Sequence, residues 1–229
     1  MEKHPLTSTF LHEFNLDIDL VNRALKDILQ KSNSVTISNF NLSPDLDTTT
    51  NLLFHKTDDD KHLPIYNEEL FNELQKCVDE VCNLYFTSQT KLAISESWMT
   101  RTAYGAKSVI HYHPFSIFSG VLYFNEQSPT IFEIEDPFTQ KHKKIFSHIM
   151  KYQQPQQILS YPKKGKLIIF DSQISHGISL NVNQTKNSRW ISPEPRYTLA
   201  FNTWFTGQVG HIRQARLTSN VVDVRQQNQ

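Results

Sequence analysis

Between residues 91 and 205 the chain carries eight short segments rich in β-branched and aromatic residues: KLAISESWMTRTA, SVIHYH, FSGVLYFN, TIFEIED, QILSYP, KLIIFDS, HGISLN and RYTLAFNTWF. Pro, Gly, Asn and Lys punctuate them, as they do strands joined by turns. A β-sandwich or barrel is the expected core. The glycine of PKKGKLIIF, Gly165, falls where a tight turn feeds a strand.

Upstream of this run the apolar period lengthens to that of a helix. LDIDLVNRALKDILQK, over 16–31, sets Ile18, Val21, Leu25, Ile28 and Leu29 on one stripe. A second helix is predicted over 67–86, with Leu70, Leu74, Cys77, Val78, Val81 and Leu84 as its apolar face. The intervening SPDLDTTTNLLFHKTDDDKH reads as loop with one short strand around Asn51 to Phe54. The expected fold is therefore mainly β with N-terminal helices packed on one outer face. It divides into a helical layer (1–90), a β core (91–210) and a polar tail (211–229) within one domain, loosely ordered from about Thr218 onward.

Charge and composition narrow the function. Lys+Arg and Asp+Glu both number 23, so nothing global draws the chain to nucleic acid or anionic lipid. Lys141, Lys143 and Lys144 form the one basic cluster worth noting, and it reads as a solvated loop. Cys77 and Cys82 point to diverging faces of one helix, which excludes a mutual disulfide and a cysteine-rich zinc site. The N-terminus MEKHPLTSTF has no apolar signal core, and no apolar run approaches the roughly 20 residues a membrane span needs. A soluble, cytoplasmic protein is expected, without membrane or nucleic-acid partners.

Chemistry concentrates in HYHPFSIFSGVLYF, residues 111–124. His111 and His113 are two apart, and side chains two apart on a strand share a face, so both rings can converge on one object. That object is a metal, a substrate or a hydrogen-bonded core. A third donor has to come from another element, and His176 is the strongest of the ten histidines. It follows the apolar strand KLIIF and has small neighbours, Ser175 and Gly177. His4, His12, His55, His62, His142 and His148 have no partner at ligand spacing, and His211 follows the last strand. Arg196 heads RYTLAF, where its planar fork suits a buried carboxylate.

The ordered set HYHPFSIFSGVLYF, GKLIIFDSQISH and RYTLAFN resembles the iron(II)- and 2-oxoglutarate-dependent oxygenases, which fold as a double-stranded β-helix, or jelly roll. The closer likeness is to a branch found in phages and marine bacteria, and it covers roughly residues 96–205. The resemblance implies that His111 and His176 are the proximal and distal iron ligands. It implies that Arg196 holds the far carboxylate of 2-oxoglutarate, with Tyr123 reaching the same carboxylate; Asn202, further along RYTLAFNTW, is expected to point toward that co-substrate. It further implies oxidative decarboxylation of 2-oxoglutarate to succinate and carbon dioxide, with hydroxylation of a substrate C–H bond.

One departure matters. The family motif is His-x-Asp/Glu, which gives iron two histidines and a carboxylate, and this chain has His113 where the acid belongs. Either His113 is itself the third ligand, the preferred reading, or an acid such as Asp136 or Asp171 completes the set. A structural zinc is disfavoured, because such sites are closed by four ligands, usually with thiolates.

Trp98 reads as a core or rim aromatic, and Ser119 and Gly120 as close packing at a strand entry. Asn181 to Pro195 reads as a lid loop, with Arg189 and Trp190 as candidate substrate contacts. The substrate class stays open among protein side chains, amino acids and small metabolites. Two other functions compete: a jelly-roll module that binds a small acid or sugar without catalysis, and a three-histidine iron dioxygenase that does not use 2-oxoglutarate.

Overall fold

The computed structural model describes residues 9–32, 46–50, 67–102, 108, 110–127, 129–134, 156–178, 195–209 and 217–219. In chain order the elements are β1 (Leu11–Asn15), α1 (Ile18–Ser32), β2 (Leu46–Thr50), α2 (Glu68–Tyr85), β3 (Leu92–Thr102), β4 (Phe118–Tyr123), β5 (Thr130–Ile134), β6 (Gln156–Ser160), β7 (Lys166–Asp171), β8 (Ser175–Ile178), β9 (Arg196–Phe205), β10 (Gly207–Val209) and β11 (Leu217–Ser219). A six-stranded antiparallel sheet has the order β1-β7-β4-β9-β3-β2, and a smaller sheet has the order β6-β5-β8.

The central strands are buried on both faces, and alternation sorts their side chains into two cores. Phe118 and Leu122 of β4, Leu167 and Ile169 of β7, and Leu199 and Phe201 of β9 face the helices. Val121, Tyr123, Ile168, Phe170 and Ala200 face the other way, where they meet Phe132 and Ile158 of the small sheet. The functional side chains lie in this second layer, between the sheets. Close packing on the helix side accounts for Gly120, because a Cβ there would collide with the buried ring of Phe201. Gly165 takes φ +80° in the turn before β7, and a Cβ would meet the Leu16 carbonyl oxygen at 2.9 Å.

Both predicted helices form. Asn67 caps α2, its side chain accepting from the Leu70 amide at 2.8 Å. Leu20, Val21, Ala24 and Ile28 of α1 are buried with Leu70, Phe71, Leu74, Cys77, Val78, Val81 and Cys82 of α2. Ile18, Leu29 and Leu84 are exposed, contrary to the predicted stripes: each lies at the rim of its apolar arc, beyond the width the sheet covers. Cys77 and Cys82 are free thiols. No helix among the described residues is long and apolar enough to cross a membrane.

Three expectations about boundaries change. The N-terminal layer is not only helical, because β1 pairs with β7 and β2 with β3, extending the main sheet at both edges. The short strand of the linker is Leu46–Thr50, whereas Asn51 to Phe54 lie outside the described residues. Thr218 and Ser219, read as loose tail, pair with Gln208 and Gly207 across β10 and β11.

Candidate active site

The expected strand SVIHYH is not a strand among its described residues; it contributes one bridge. His111 donates its backbone N–H to the His176 carbonyl at 3.0 Å and accepts from the His176 amide at 2.8 Å. This reciprocal pair sets the two side chains against each other. His113 is tethered separately, its amide donating to the Ser172 carbonyl at 2.8 Å. Pro114 then opens a turn that places Phe115 at the surface, since a residue before proline is held extended and proline cannot continue a ladder. The buried Ser116 hydroxyl closes the segment by bonding the carbonyls of Phe118 and Thr203 at 3.0 and 3.1 Å.

The result is a cluster of three imidazoles. Ring centroids lie 5.1 Å (His111–His113), 5.2 Å (His113–His176) and 4.6 Å (His111–His176) apart. One nitrogen from each ring falls within 4.8 Å of the other two, a spacing at which all three can hold one metal ion. His176 is buried against the rings of Phe170 and Phe132, at 4.7 and 6.2 Å. Its Nδ1 donates to the Ile174 carbonyl at 2.9 Å, leaving the Nε2 lone pair for a ligand bond. Burial pushes the His176 pKa down to about 3, and the neighbouring His111 and His113 add to the effect. Burial, reinforced by His111, lowers His113 to about 4. Both rings are thus neutral at physiological pH, the state a metal requires.

Asp171 is not in the cluster. It is exposed, its Oδ1 accepts from the Gln173 amide at 2.9 Å, and it lines a cavity of about 500 Å³ with Tyr85 and Phe118 instead. The last residue of β7 faces the helix side of the sheet, whereas the histidines face its interior. Asp136, the lid segment 181–194 with Arg189 and Trp190, the cluster Lys141, Lys143 and Lys144, and His211 lie outside the described residues.

Along β9, Arg196, Thr198, Ala200 and Asn202 share the interior face, and across on β4 so do Ser119, Val121 and Tyr123. At one end of this row the Arg196 guanidinium, buried to 5% exposure, donates to Thr198 Oγ1 at 3.1 Å and Thr130 Oγ1 at 3.0 Å. The Tyr123 ring lies 5.3 Å from the guanidinium carbon, and its hydroxyl donates to Thr130 Oγ1. Burial lowers the Arg196 pKa, against the opposing influence of Tyr123. Thr102 is the register partner of Arg196 and Ser160 that of Thr130. Both hydroxyls are buried without a hydrogen-bond partner among the described residues. Register partners share a face, so these two unsatisfied hydroxyls lie on the interior face with Arg196 and Thr130.

Register also fixes how far this end of the row is from the imidazoles. Thr130 pairs with Ile178, and Phe132 pairs with His176. The guanidinium contact is therefore two residues along β8 from the histidine cluster, or about 7 Å at the rise of a strand. A five-carbon dicarboxylate spans that gap. Arg196 and Tyr123 stand together at this end of the row.

Asn202 does not sit at that end. It lies at the opposite end of β9, its Nδ2 3.4 Å from His113 Nδ1 and bonded to Glu96 Oε1 at 2.5 Å, while its Oδ1 accepts from Ser119 at 2.7 Å. Sequence reading missed Glu96. Its signal is a slip of phase in LAISESWM: Leu92 and Ile94 face the helices at even positions, whereas Met99 does so at an odd one. A β-bulge between Ile94 and Glu96 accounts for the slip and turns Glu96 to the interior, opposite Asn202. Trp98, the next interior residue of β3, stands 5.5 Å from the His113 ring.

Residues 96–202 match the family model described as "Putative 2OG-Fe(II) oxygenase". No curated protein matches the chain in sequence. Among solved structures, a Pseudomonas putida prolyl-4-hydroxylase superposes with a TM-score of 0.53 at 12% identity, over 85% of this chain and 91% of that one. An oxidoreductase of the 2OG-Fe(II) oxygenase family from Burkholderia pseudomallei gives 0.50 at 11%, over 78% and 77%. The 2-oxoglutarate-dependent epimerase SnoN of nogalamycin biosynthesis gives 0.57 at 9%, over 85% and 77%. At these identities the shared property is the jelly-roll fold.

Proposed function

We propose, from the match of residues 96–202 to the family model of 2OG-Fe(II) oxygenases, that this chain is an oxidoreductase using iron(II) and 2-oxoglutarate, and that it hydroxylates a substrate C–H bond at iron held by His111, His113 and His176. Arg196, supported by Tyr123 and Thr130, anchors the far carboxylate of 2-oxoglutarate. The observation that carries the reading is the interior row itself: three convergent imidazoles at one end, and at the other a buried guanidinium that shares its face with two unsatisfied hydroxyls.

Iron and 2-oxoglutarate bound there would supply oxidative decarboxylation by dioxygen, one oxygen atom entering succinate as carbon dioxide leaves and the other entering the substrate C–H bond. The protein's own groups do the rest. Phe132 and Phe170 shield the His176 side from water. Three neutral imidazoles leave the full +2 charge of the metal uncompensated, where a carboxylate ligand would reduce it to +1. The dianionic co-substrate is drawn more strongly to the former. Arg196 fixes the other end of the dianion and so its orientation. Trp98 beside His113 borders the approach for a substrate, whose class remains protein side chain, amino acid or small metabolite.

Succinate formation tests this. Purified protein given iron(II), 2-oxoglutarate and oxygen, with a panel of candidate substrates, should release succinate only with iron, and a His176→Ala variant should release none. Iron-loaded protein that neither binds nor consumes 2-oxoglutarate would overturn the reading and favour three-histidine dioxygenase chemistry without that co-substrate.

A further inference from the structure

We propose that the Asn202 amide is a two-position support for His113: paired with Glu96 it faces an unprotonated His113 Nδ1, and it turns over when the ring is protonated on Nδ1 to give Nε2 to a metal. The inference rests on the reading of His113 as a ligand.

Asn202 has its orientation set by its partners. A carboxylate only accepts, so the amide edge facing Glu96 Oε1 is Nδ2, and the edge facing the Ser119 hydroxyl is Oδ1. Nδ2 has a second hydrogen, and the atom it faces is His113 Nδ1 at 3.4 Å. An N–H group opposite Nδ1 needs a lone pair there, which places the proton of the neutral ring on Nε2. That is the nitrogen left for a metal, because Nδ1 is occupied by Asn202.

Metal at Nε2 reverses the requirement. The ring then keeps its proton on Nδ1, and a ligating histidine donates that proton to an acceptor. Turning the amide presents Oδ1 to it. The Ser119 hydroxyl accommodates the change: it lies 2.7 Å from Asn202 and 2.8 Å from the Ser172 hydroxyl, and both serines are buried. Either hydroxyl can be the donor of that pair. Ser119 donates to Asn202 before the turn; after it, Ser119 accepts from Nδ2 and donates to Ser172. Glu96 has no hydrogen to offer a turned Oδ1 and swings toward solvent, where it is already exposed. The bulge in β3 thus brings in a carboxylate that favours the metal-free arrangement and opposes loading.

Two measurements test the switch, with zinc as a diamagnetic probe. Nitrogen-15 NMR of the histidine side chains should find His113 protonated on Nε2 and His176 on Nδ1 in the metal-free protein, with His113 protonated on Nδ1 once zinc is bound. In chelator competition, Glu96→Gln, whose amide pairs with either orientation of Asn202, should bind zinc about three- to tenfold more tightly, the order of one net hydrogen bond. His113 already protonated on Nδ1 without metal, or Glu96→Gln binding zinc no more tightly than wild type, would overturn the switch while leaving the metal site standing. Failure of the wild-type protein to bind zinc or iron at all would instead remove the ligand reading on which it rests.

Discussion

Replacing Arg196 with alanine tests the proposed carboxylate clamp separately from the proposed metal site. The guanidinium is 5% exposed and bonded to the Thr130 and Thr198 hydroxyls, so a carboxylate that reaches it is withdrawn from water. Truncating one partner of such a pair leaves the other desolvated and unpaired, a loss of about 2–5 kcal/mol. At about 1.4 kcal/mol per decade, 2-oxoglutarate affinity should fall roughly 30- to 3000-fold. Arg196→Lys should recover part of this, because a point charge cannot reproduce the planar fork. Tyr123→Phe should cost less, about 0.5–1.5 kcal/mol, since the Tyr123 hydroxyl acts through Thr130. Iron affinity should not change in any of the three, because Arg196 lies about two residues of strand rise away from the imidazoles. Calorimetry with 2-oxoglutarate on iron-loaded protein under anaerobic conditions measures all three, and thermal unfolding confirms that each variant is folded. Wild-type affinity in folded Arg196→Ala would refute the carboxylate-clamp reasoning.

Further outcomes follow from the same geometry. His113→Ala should lose iron as severely as His111→Ala and His176→Ala, while Asp171→Ala keeps it; metal titration decides between the three-histidine set and one completed by an acid. His113→Asp should retain metal, with weaker 2-oxoglutarate binding because the site charge drops by one. Gly120→Ala should destabilise the fold by about 1–3 kcal/mol through collision with Phe201, and Phe201→Leu in the same molecule should restore part of the loss in denaturant unfolding. His176 and His113 are held neutral in the fold, with pKa values of about 3 and 4 against the ordinary 6.5. The unfolded chain therefore binds more protons than the native one below pH 6.5, and metal-free stability should fall between pH 6.5 and about 3. Unfolding midpoints that stay flat across that window would contradict the burial of His176.

Period-two alternation in KLIIF, FSGVLYF and RYTLAF made the central strands legible, because one face packs on helices and the other on the second sheet. His176 and Arg196 stood out for the same reason, since His176 follows KLIIF and Arg196 opens RYTLAF. β1 was missed because LHEFN is a half-exposed edge strand with too little apolar alternation to stand out beside a helix. SVIHYH carries strand-like residues, but its pairing is set by two backbone bonds to His176, a tertiary contact that no local pattern encodes. Asn202 was placed correctly on its strand, yet its role depended on a bulge one strand away that brings in Glu96. The third ligand is the least legible part of the site, since spacing alone does not exclude Asp171. The structure excludes it through the face to which β7 turns its last residue.

The central claim is that the three imidazoles and Arg196 form one site that binds iron(II) and 2-oxoglutarate together. Chelation of iron(II) by a 2-oxo acid gives a visible charge-transfer absorption that neither component shows alone, so anaerobic titration of the metal-free protein tests it most directly. The account predicts a band that needs both iron and 2-oxoglutarate, is lost in His113→Ala and His176→Ala, and is regained in Arg196→Ala only at far higher 2-oxoglutarate concentration. Iron bound at one equivalent with no such band at saturating 2-oxoglutarate would contradict it.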